Sequence, residues 1–253
     1  MVRKCALIVM MLLVFGCGPK KALFDPKTQT DAQIYEMGMD YLKENDYEKA
    51  REAFRVVFES FPQSDYRILA KLGQADSYFE EGRQSNLLLA HQEYQDFISL
   101  FPFSPKACYA QLRMGLCYFR IAEKPDRDQS NTRTALDEFR KVVDNYPDCE
   151  QYREAYDYLI QCYGRLAEHE YLVAFYYSRT GRDVAAVERI KGLLKAYPET
   201  VHQAKHYFTL AQALEKLQQF QESCALYNVL LEKWPDSEFA EDVREARTRI
   251  CKS

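Results

Sequence analysis

An aromatic residue followed directly by proline recurs along the chain, and this pairing constrains the fold more than any other feature. The five pairs are Phe61-Pro62, Phe101-Pro102, Tyr146-Pro147, Tyr197-Pro198 and Trp234-Pro235. The prolines of successive pairs stand 40, 45, 51 and 37 residues apart, and each pair follows an apolar pattern of helical period. Proline ends a helix because it lacks an N–H donor and restricts the residue before it. The spacing therefore predicts five helical hairpins in succession.

The first hairpin carries the small and bulky positions of a tetratricopeptide repeat, whose period is about 34 residues. Gly38 and Ala50 are the small residues that let two antiparallel helices approach, while Tyr41 and Phe54 fill the space between neighbouring pairs. The later hairpins repeat these positions more loosely. One pair cannot bury its apolar face alone, so the pairs must stack into a superhelix with a concave face.

Few breakers interrupt the chain, with nine Gly and nine Pro in 253 residues. The segment from Cys149 to Ser178 has no proline and reads as one long helix. We therefore predict an all-α fold, a superhelix of about five tetratricopeptide-like helix pairs in two sub-bundles joined by that helix. The first sub-bundle, units 1–3, covers 31–148. The long helix, units 4–5 and a final capping helix near 237–252 make up 149–253.

The N-terminus has the layout of a bacterial signal peptide. Arg3 and Lys4 precede an apolar run of 11 residues, 5–15. A helix of that length spans roughly 16 Å, about half of a bilayer core, so the run is too short for an anchor helix. We therefore assign residues 1–16 to a cleaved signal peptide.

The signal ends in Val14-Phe15-Gly16-Cys17, which resembles a bacterial lipobox. The resemblance implies acylation of Cys17, and Gly18 in place of Asp implies that nothing retains the lipoprotein in the inner membrane. An ordinary secretory signal with an incidental cysteine is the alternative. Residues 17–30 show no periodicity and contain two prolines, which predicts a lipidated flexible tether.

Three further segments indicate which family of tetratricopeptide proteins the chain resembles. They are the loop Asp126-Arg127-Asp128-Gln129, the run Leu166–Tyr177 and the fourth repeat, Ala185–Thr200. Together with the lipobox and the repeats, they resemble the BamD family, the tetratricopeptide lipoproteins of the β-barrel assembly machinery. The resemblance covers nearly the whole chain after residue 30. It implies a non-enzymatic scaffold, lipid-anchored at the cell outer membrane and facing the periplasm.

The resemblance also implies partners. The C-terminal repeats would bind a barrel-forming, BamA-like subunit, with Arg189 at the position of a family contact residue. The N-terminal repeats would receive unfolded outer-membrane proteins, and accessory lipoproteins of the complex are further partners. The repeat phase, together with the loop after Pro62, gives a candidate substrate groove of Tyr35, Tyr66, Leu72, Phe79, Leu112 and Phe119. Helical aromatic residues are, however, more often core than contact residues.

Other function classes have little support in the sequence. The formal net charge of −4 and the lack of a basic stretch argue against nucleic acid. No phosphate loop, nucleophile elbow or H-E-x-x-H motif is present, so we expect no enzyme and no cofactor. His202 and His206 stand four residues apart without an apparent third ligand, so we expect no metal site, and a hydrolase using them is a weak alternative. Another tetratricopeptide lipoprotein, such as a secretin pilotin or an envelope or cell-division coordinator, is the main alternative.

Six cysteines remain beyond Cys5 and Cys17, and the periplasm permits disulfides. Cys108 and Cys117, if on one helix, lie too far apart to pair, and Cys149 with Cys162 fails similarly. A bond between Cys224 and Cys251 is conceivable. The interpretation we favour at this point is six buried free thiols acting as small apolar residues.

Overall fold

The computed structural model describes residues 23–197 and 203–251, and these residues form eleven α-helices and no strands. Consecutive helices pack as antiparallel pairs, α1–α2 to α9–α10, and α11 closes the stack. The all-α prediction is therefore confirmed. The helices are α1 Asp31–Lys43, α2 Tyr47–Ser60, α3 Arg67–Glu81, α4 Gln84–Leu100, α5 Ala107–Ile121, α6 Ser130–Asn145, α7 Tyr152–Arg179, α8 Asp183–Ala196, α9 Ala204–Lys216, α10 Phe220–Lys233 and α11 Ala240–Ile250.

The aromatic residue of each aromatic-proline pair ends the second helix of its unit. All five have φ between −124° and −135°, outside the helical region, and each still donates its backbone N–H to the carbonyl four residues earlier. They are Phe61, Phe101, Tyr146, Tyr197 and Trp234. The helix ends predicted from proline are thus confirmed.

Within four of the five units, a single left-handed residue turns the chain between the two helices. These residues are Asn45, Gly82, Gly181 and Gln218, with φ from 60° to 75°. In the third unit an eight-residue connection, 122–129, takes the place of the tight turn. Gln129 is 1% exposed, and its amide donates to the carbonyls of Lys124 and Arg127 at 2.7 and 3.1 Å. The enlarged loop is therefore held by its own buried amide.

Close approach of the helices in the first unit depends on glycine, as predicted for Gly38. A Cβ at Gly38 would lie 2.8 Å from the ring of Phe54, and one at Gly73 in α3 would lie 2.8 Å from the same ring. Phe54 is fully buried between these two glycines. The Phe54 ring therefore packs α2 against α1 of its own unit and against α3 of the second unit, because glycine at both positions leaves room for the ring.

The long helix predicted between Cys149 and Ser178 is α7, which belongs to two units. Its first half places Ala155, Leu159 and Cys162 in the core of the second and third units. Its second half places Ala174 in a separate cluster with residues of α8 and α9. One continuous helix thus carries the chain from the third unit to the fourth.

Residues 23–30, the last part of the predicted tether, lie against the body. The ring of Phe24 is 4% exposed and meets Tyr41 edge-on at 6.0 Å. Thr30 caps α1 by accepting from the N–H of Gln33, whose side chain accepts in return from the N–H of Thr30. Phe24 therefore packs as part of the body. Cys17 and the signal peptide lie outside the described residues, within which no helix is long and apolar enough to cross a membrane.

Four of the six remaining cysteines form disulfides, so the interpretation as free thiols is wrong for these four. Cys224 bonds Cys251, and Cys108 bonds Cys149, with Cα–Cα distances of 5.6 and 6.5 Å. The second pair escaped the sequence argument because α6 returns the chain to the start of α5, which brings together residues 41 positions apart. Cys117 and Cys162 are free and buried, as expected. Burial raises the pKa of each thiol to about 12.

Candidate partner-binding surfaces

The first helices of successive units lie side by side and form what we call the concave surface, made of α1, α3, α5 and the first half of α7. Contacts between side chains link each of these helices to the next. Tyr35 of α1 meets Tyr66 at the start of α3, with ring centroids 4.9 Å apart, and Phe119 of α5 meets Tyr158 of α7 at the same distance. Repeat arrays use such surfaces for binding extended partners.

Tyr35 and Tyr66, two of the predicted groove residues, are neighbours at one end of this surface. The Tyr35 ring also packs on Phe54 at 5.6 Å. Burial raises the pKa of Tyr35, and the negative charge of Asp76 acts in the same direction. Both rings are half-buried, so each keeps an accessible edge. Their contact with a substrate stays a prediction.

Three other predicted groove residues are buried and give the groove no accessible surface. Leu72, Phe79 and Leu112 are 6%, 0% and 2% exposed and belong to the apolar core of the second and third units. The repeat phase could not separate groove positions from core positions, because the bulky positions of each unit serve helix–helix packing. The prediction that they line a groove is therefore wrong.

Phe119, the sixth predicted residue, is half-buried and packs against the rings of Phe139 and Tyr158 at 6.1 and 4.9 Å. The guanidinium carbon of Arg165, on α7, lies 4.0 Å from the centroid of its ring. The concave surface thus presents a guanidinium at the place where the sequence predicted an aromatic face.

A polar network at the centre of the concave surface was missed by the sequence reasoning. Asp76 of α3 accepts hydrogen bonds from the hydroxyls of Tyr94 and Tyr109 at 2.5 and 3.0 Å. The Tyr109 hydroxyl in turn accepts from Nε of Arg113 at 2.7 Å, and Arg113 pairs with Glu80 at 3.2 Å. Burial raises the pKa of Asp76, which these donors partly offset. The network ties α3, α4 and α5 together at one level.

Two arginines of α5 cover the buried ring of Phe79. The guanidinium carbons of Arg113 and Arg120 lie 4.3 and 3.7 Å from its centroid, within the range of cation–π contacts. Arg120 also donates to the carbonyl of Phe79 at 3.2 Å. The seven-residue spacing of the two arginines, which puts them on one helix face, was the available sequence signal.

The second candidate surface lies around Arg189 on α8. Its guanidinium pairs with Glu170 of α7, and the hydrogen bond that it donates to that carboxylate raises the pKa of Arg189. The Arg189 side chain is 41% exposed. It borders a shallow cavity of about 540 Å³ that is also lined by Tyr177, Gly192 and Tyr197. Arg189 is thus accessible, as the predicted role requires, but it has an internal partner.

A further cavity, of about 910 Å³, lies between α2, α3 and α4. None of the six predicted groove residues lines it. Its walls carry mainly charged side chains, and Lys71 pairs there with Glu93 at 2.6 Å. Phe24, Phe58 and Tyr78 also line the cavity, so its walls combine charged and aromatic side chains.

Of the two histidines singled out in the sequence, His206 lies among the described residues. His206 is 2% exposed, and its ring meets Tyr171 edge-on at 5.0 Å. His202 lies outside the described residues. Among the residues that are described, no group of three or more His, Cys, Asp or Glu is arranged to hold a metal ion.

Comparison with known proteins identifies relatives over most of the chain. The family model described as YfiO, outer membrane lipoprotein, matches residues 27–225. An outer membrane protein assembly factor BamD from Caulobacter vibrioides is 27% identical over 210 residues, covering 82% of this chain and 68% of that protein. The BamD of Haemophilus influenzae is 26% identical, covering 85% and 84%, and that of Rickettsia prowazekii is 26% identical, covering 92% of each.

Solved structures with a similar course include the TPR2AB domain of yeast Sti1 in a pHSP90 complex. That domain is 19% identical, covers 87% of this chain and 84% of its own, and superposes with a TM-score of 0.46. We draw no argument about function from it.

Proposed function

The chain belongs to the YfiO family of outer membrane lipoproteins, and on that premise we propose that it is a lipid-anchored scaffold of the outer-membrane protein assembly complex. The observation that carries the proposal is the family match over 27–225, together with relatives that are all named as outer membrane protein assembly factors. Its work is binding, since the family consists of assembly factors.

The proposed anchor is Cys17, seven residues before the buried Phe24. Seven extended residues reach at most about 25 Å. The body therefore starts close to the lipid surface, because Phe24 packs against it. An acylated Cys17 would keep both candidate surfaces within reach of the membrane face where barrels are assembled.

The surface around Arg189 is proposed to bind the barrel-forming subunit. An exposed guanidinium beside a cavity can donate two parallel hydrogen bonds to a partner carboxylate. Glu170 holds the guanidinium in place in the free protein. The partner must therefore either compete with Glu170 for the guanidinium or bind the Arg189–Glu170 pair as a unit. In both cases, reversal of the charge at Arg189 should weaken binding of the partner.

The test is copurification of the barrel-forming subunit with tagged full-length protein from gently solubilised membranes. Arg189→Glu should reduce recovery by about tenfold or more, as expected for loss of a buried charge contact at an interface. The matched control is Lys191→Glu on the same helix, since Lys191 is also half-exposed and forms an ion pair with Glu222 at 2.8 Å.

The control should retain the subunit. If both variants lose the barrel-forming subunit equally, the loss reflects general charge repulsion and not a specific contact of Arg189. Full recovery of the subunit with Arg189→Glu would contradict the assignment of this surface. Failure to recover any barrel-forming subunit with the natural chain would contradict the proposed function itself.

The concave surface is proposed to bind unfolded outer-membrane proteins in an extended conformation. Tyr35 and Tyr66 provide an aromatic contact at one end of it, and the arginines of α5 and α7 lie at the other. Apolar side chains next to hydrogen-bonding groups are what an extended, partly hydrophobic segment needs.

A further inference from the structure

The disulfides of the described residues do not all join consecutive cysteines. Cys108 bonds Cys149 and passes over Cys117, which lies between them in the chain and is a free thiol. Cys224 and Cys251, in contrast, are consecutive cysteines of the chain. The first cysteine that follows Cys108 is therefore not its partner in the folded protein.

The unfolded chain favours the wrong partner for Cys108. Cys117 follows it by 9 residues, whereas Cys149 follows it by 41. The probability that two positions of a flexible chain meet falls roughly as the three-halves power of their separation, which favours Cys117 about tenfold. A chain exported from its N-terminus also presents Cys117 before Cys149. A disulfide-bonded oxidase that accepts two electrons from the first available thiol pair will therefore join Cys108 to Cys117.

The fold excludes a bond between Cys108 and Cys117. Both residues belong to α5, and nine residues of helix separate their Cα atoms by about 13.5 Å along the axis. A disulfide needs Cα atoms within about 7 Å of each other. A chain with this bond cannot form α5, which supplies Leu112 and Leu116 to the core of the second and third units. The wrong bond must therefore be exchanged before these units can pack.

Folding then removes the free thiols from further exchange. Cys117 and Cys162 are 1% and 0% exposed. Burial raises the pKa of each thiol to about 12, and the thiolate is the form that attacks disulfides. Exchange is therefore open only while the chain is unfolded around α5. Uncatalysed rearrangement takes minutes to hours, so a chain in this state benefits from a catalyst.

We propose that this chain is a substrate of a thiol–disulfide isomerase, which converts a bond between Cys108 and Cys117 into the bond between Cys108 and Cys149. The isomerase thiolate attacks the sulfur of Cys108, forms a mixed disulfide with it and releases the thiolate of Cys117. The Cys149 thiolate then attacks the same sulfur and releases the isomerase thiolate.

One disulfide breaks for each one that forms in this exchange, and one proton passes from Cys149 to Cys117. The exchange itself therefore needs no oxidant or reductant, and the oxidase is needed only for the first bond. The inference goes beyond the proposed function and rests on it only in requiring that the chain be exported.

The experiment follows the bonds of the full-length chain in a bacterium that exports and lipidates it, with the periplasmic disulfide isomerase present or deleted. Free thiols are alkylated within about five minutes of synthesis, before uncatalysed exchange is complete. Bonded peptides are then identified by mass spectrometry without reduction. Deletion should lower the fraction of chains with the Cys108–Cys149 bond about fivefold, in favour of Cys108–Cys117, given the roughly tenfold preference of the unfolded chain. The Cys224–Cys251 bond should form equally in both strains.

Cys117→Ala is the decisive variant, because it removes the competing thiol. It should form the Cys108–Cys149 bond to the same extent with and without the isomerase. Cys162→Ala is the matched control, since Cys162 is an equally buried free thiol of the same core but follows Cys149 in the chain. This control should keep the dependence on the isomerase. A folding defect caused by loss of a small buried side chain would affect both variants alike.

Full formation of the Cys108–Cys149 bond by the natural chain in the deletion strain overturns the inference. Dependence on the isomerase that persists in Cys117→Ala also overturns it, because competition for Cys108 is then not the cause. A chain whose cysteines all stay reduced contradicts both the inference and the proposed location. Copurification of the barrel-forming subunit is measured separately, so the scaffold function stands or falls on its own.

Discussion

The second and third units share one apolar core, whereas the fourth and fifth divide theirs. A single cluster of buried residues extends from Leu72 in α3 to Leu166 in α7. Beyond it, one cluster joins α7, α8 and α9 around Ile190, and another joins α9, α10 and α11 around Tyr227. The difference indicates that the part of the concave surface on α3, α5 and α7 rests on one cooperative block, while the surface around Arg189 rests on smaller, more independent parts.

Both regions supplement their packing with bonds between helices. In the second and third units these include the Lys71–Glu93 ion pair at 2.6 Å and the Cys108–Cys149 disulfide. In the fourth and fifth units, Lys205 pairs with Glu168 at 2.6 Å and Lys216 with Asp183 at 3.3 Å, both between helices. A disulfide fixes the capping helix α11 to α10. Exposed ion pairs contribute little, so the disulfide should matter more for this end of the chain.

The largest effect should come from Phe139→Ala, which empties the centre of the shared core. Phe139 is fully buried, stacks on Tyr158 at 5.3 Å and packs against Gly115. Truncation of such a ring costs about 3–5 kcal/mol of unfolding free energy. Hydrogen exchange should accelerate in every helix from α3 to the first half of α7, and α9–α11 should change little.

Phe103→Ala is the control for that variant, because Phe103 is 99% exposed and its loss should leave exchange unchanged. Acceleration restricted to α6 and its nearest neighbours would show that the core of the second and third units is not one cooperative block, which would break the comparison.

An intermediate loss of unfolding free energy is expected when both Cys224 and Cys251 are replaced by Ser. The bond closes a loop of 27 residues, for which the loss of loop-closure entropy is about 3.6 kcal/mol, and native bonds of this kind usually contribute about 2–4 kcal/mol. Exchange should accelerate in α10 and α11 alone.

The matched pair is Cys108→Ser with Cys149→Ser, which opens a loop of 41 residues inside the shared core. Its effect should spread over α5 to α7. Similar spreading from the C-terminal pair would contradict the division into smaller clusters.

The smallest effect on the unfolding free energy should come from a buried carboxylate, and it should depend on pH. Burial raises the pKa of the Glu138 carboxyl, yet the His91 ring at 3.5 Å and hydrogen bonds from Lys141 and Gln111 outweigh burial and lower this pKa to about 2, against an ordinary value of 4.5. A depressed pKa contributes stability that is present above about pH 4.5 and is lost as the pH falls toward 2. Glu138→Gln should therefore lower the unfolding free energy at pH 7 by up to about 3 kcal/mol, and the difference should narrow by pH 3.

Glu222→Gln provides the comparison in the fifth unit, where it removes the exposed pair with Lys191. That change should alter the unfolding free energy by less than about 1 kcal/mol at either pH. Urea unfolding at pH 7 and pH 3 measures both variants, and a pH-independent difference for Glu138→Gln would contradict the role assigned to its charge.

Much of the fold was predictable because the determining interactions are local. Proline ends a helix through its own geometry, so Phe61, Phe101, Tyr146, Tyr197 and Trp234 marked the helix ends correctly. The absence of proline between Cys149 and Ser178 likewise predicted α7. Small residues such as Gly38 indicated close helix contact, because a Cβ there would meet the Phe54 ring.

Local pattern could not decide which side of each helix faces outward. The angle and rotation between successive units set that, and they buried Leu72, Phe79 and Leu112 while turning Arg120 and Arg165 onto the concave surface.

The sequence by itself determined the five helix pairs, the long linking helix and the family, and it predicts a signal peptide with a lipobox. Tertiary structure alone decided the partners of side chains far apart in the chain. It joined Cys108 to Cys149 across a whole helix and placed Arg165 over Phe119. The physical reason is that helix formation depends on neighbours along the chain, whereas pairing and exposure depend on how the stacked units fit together.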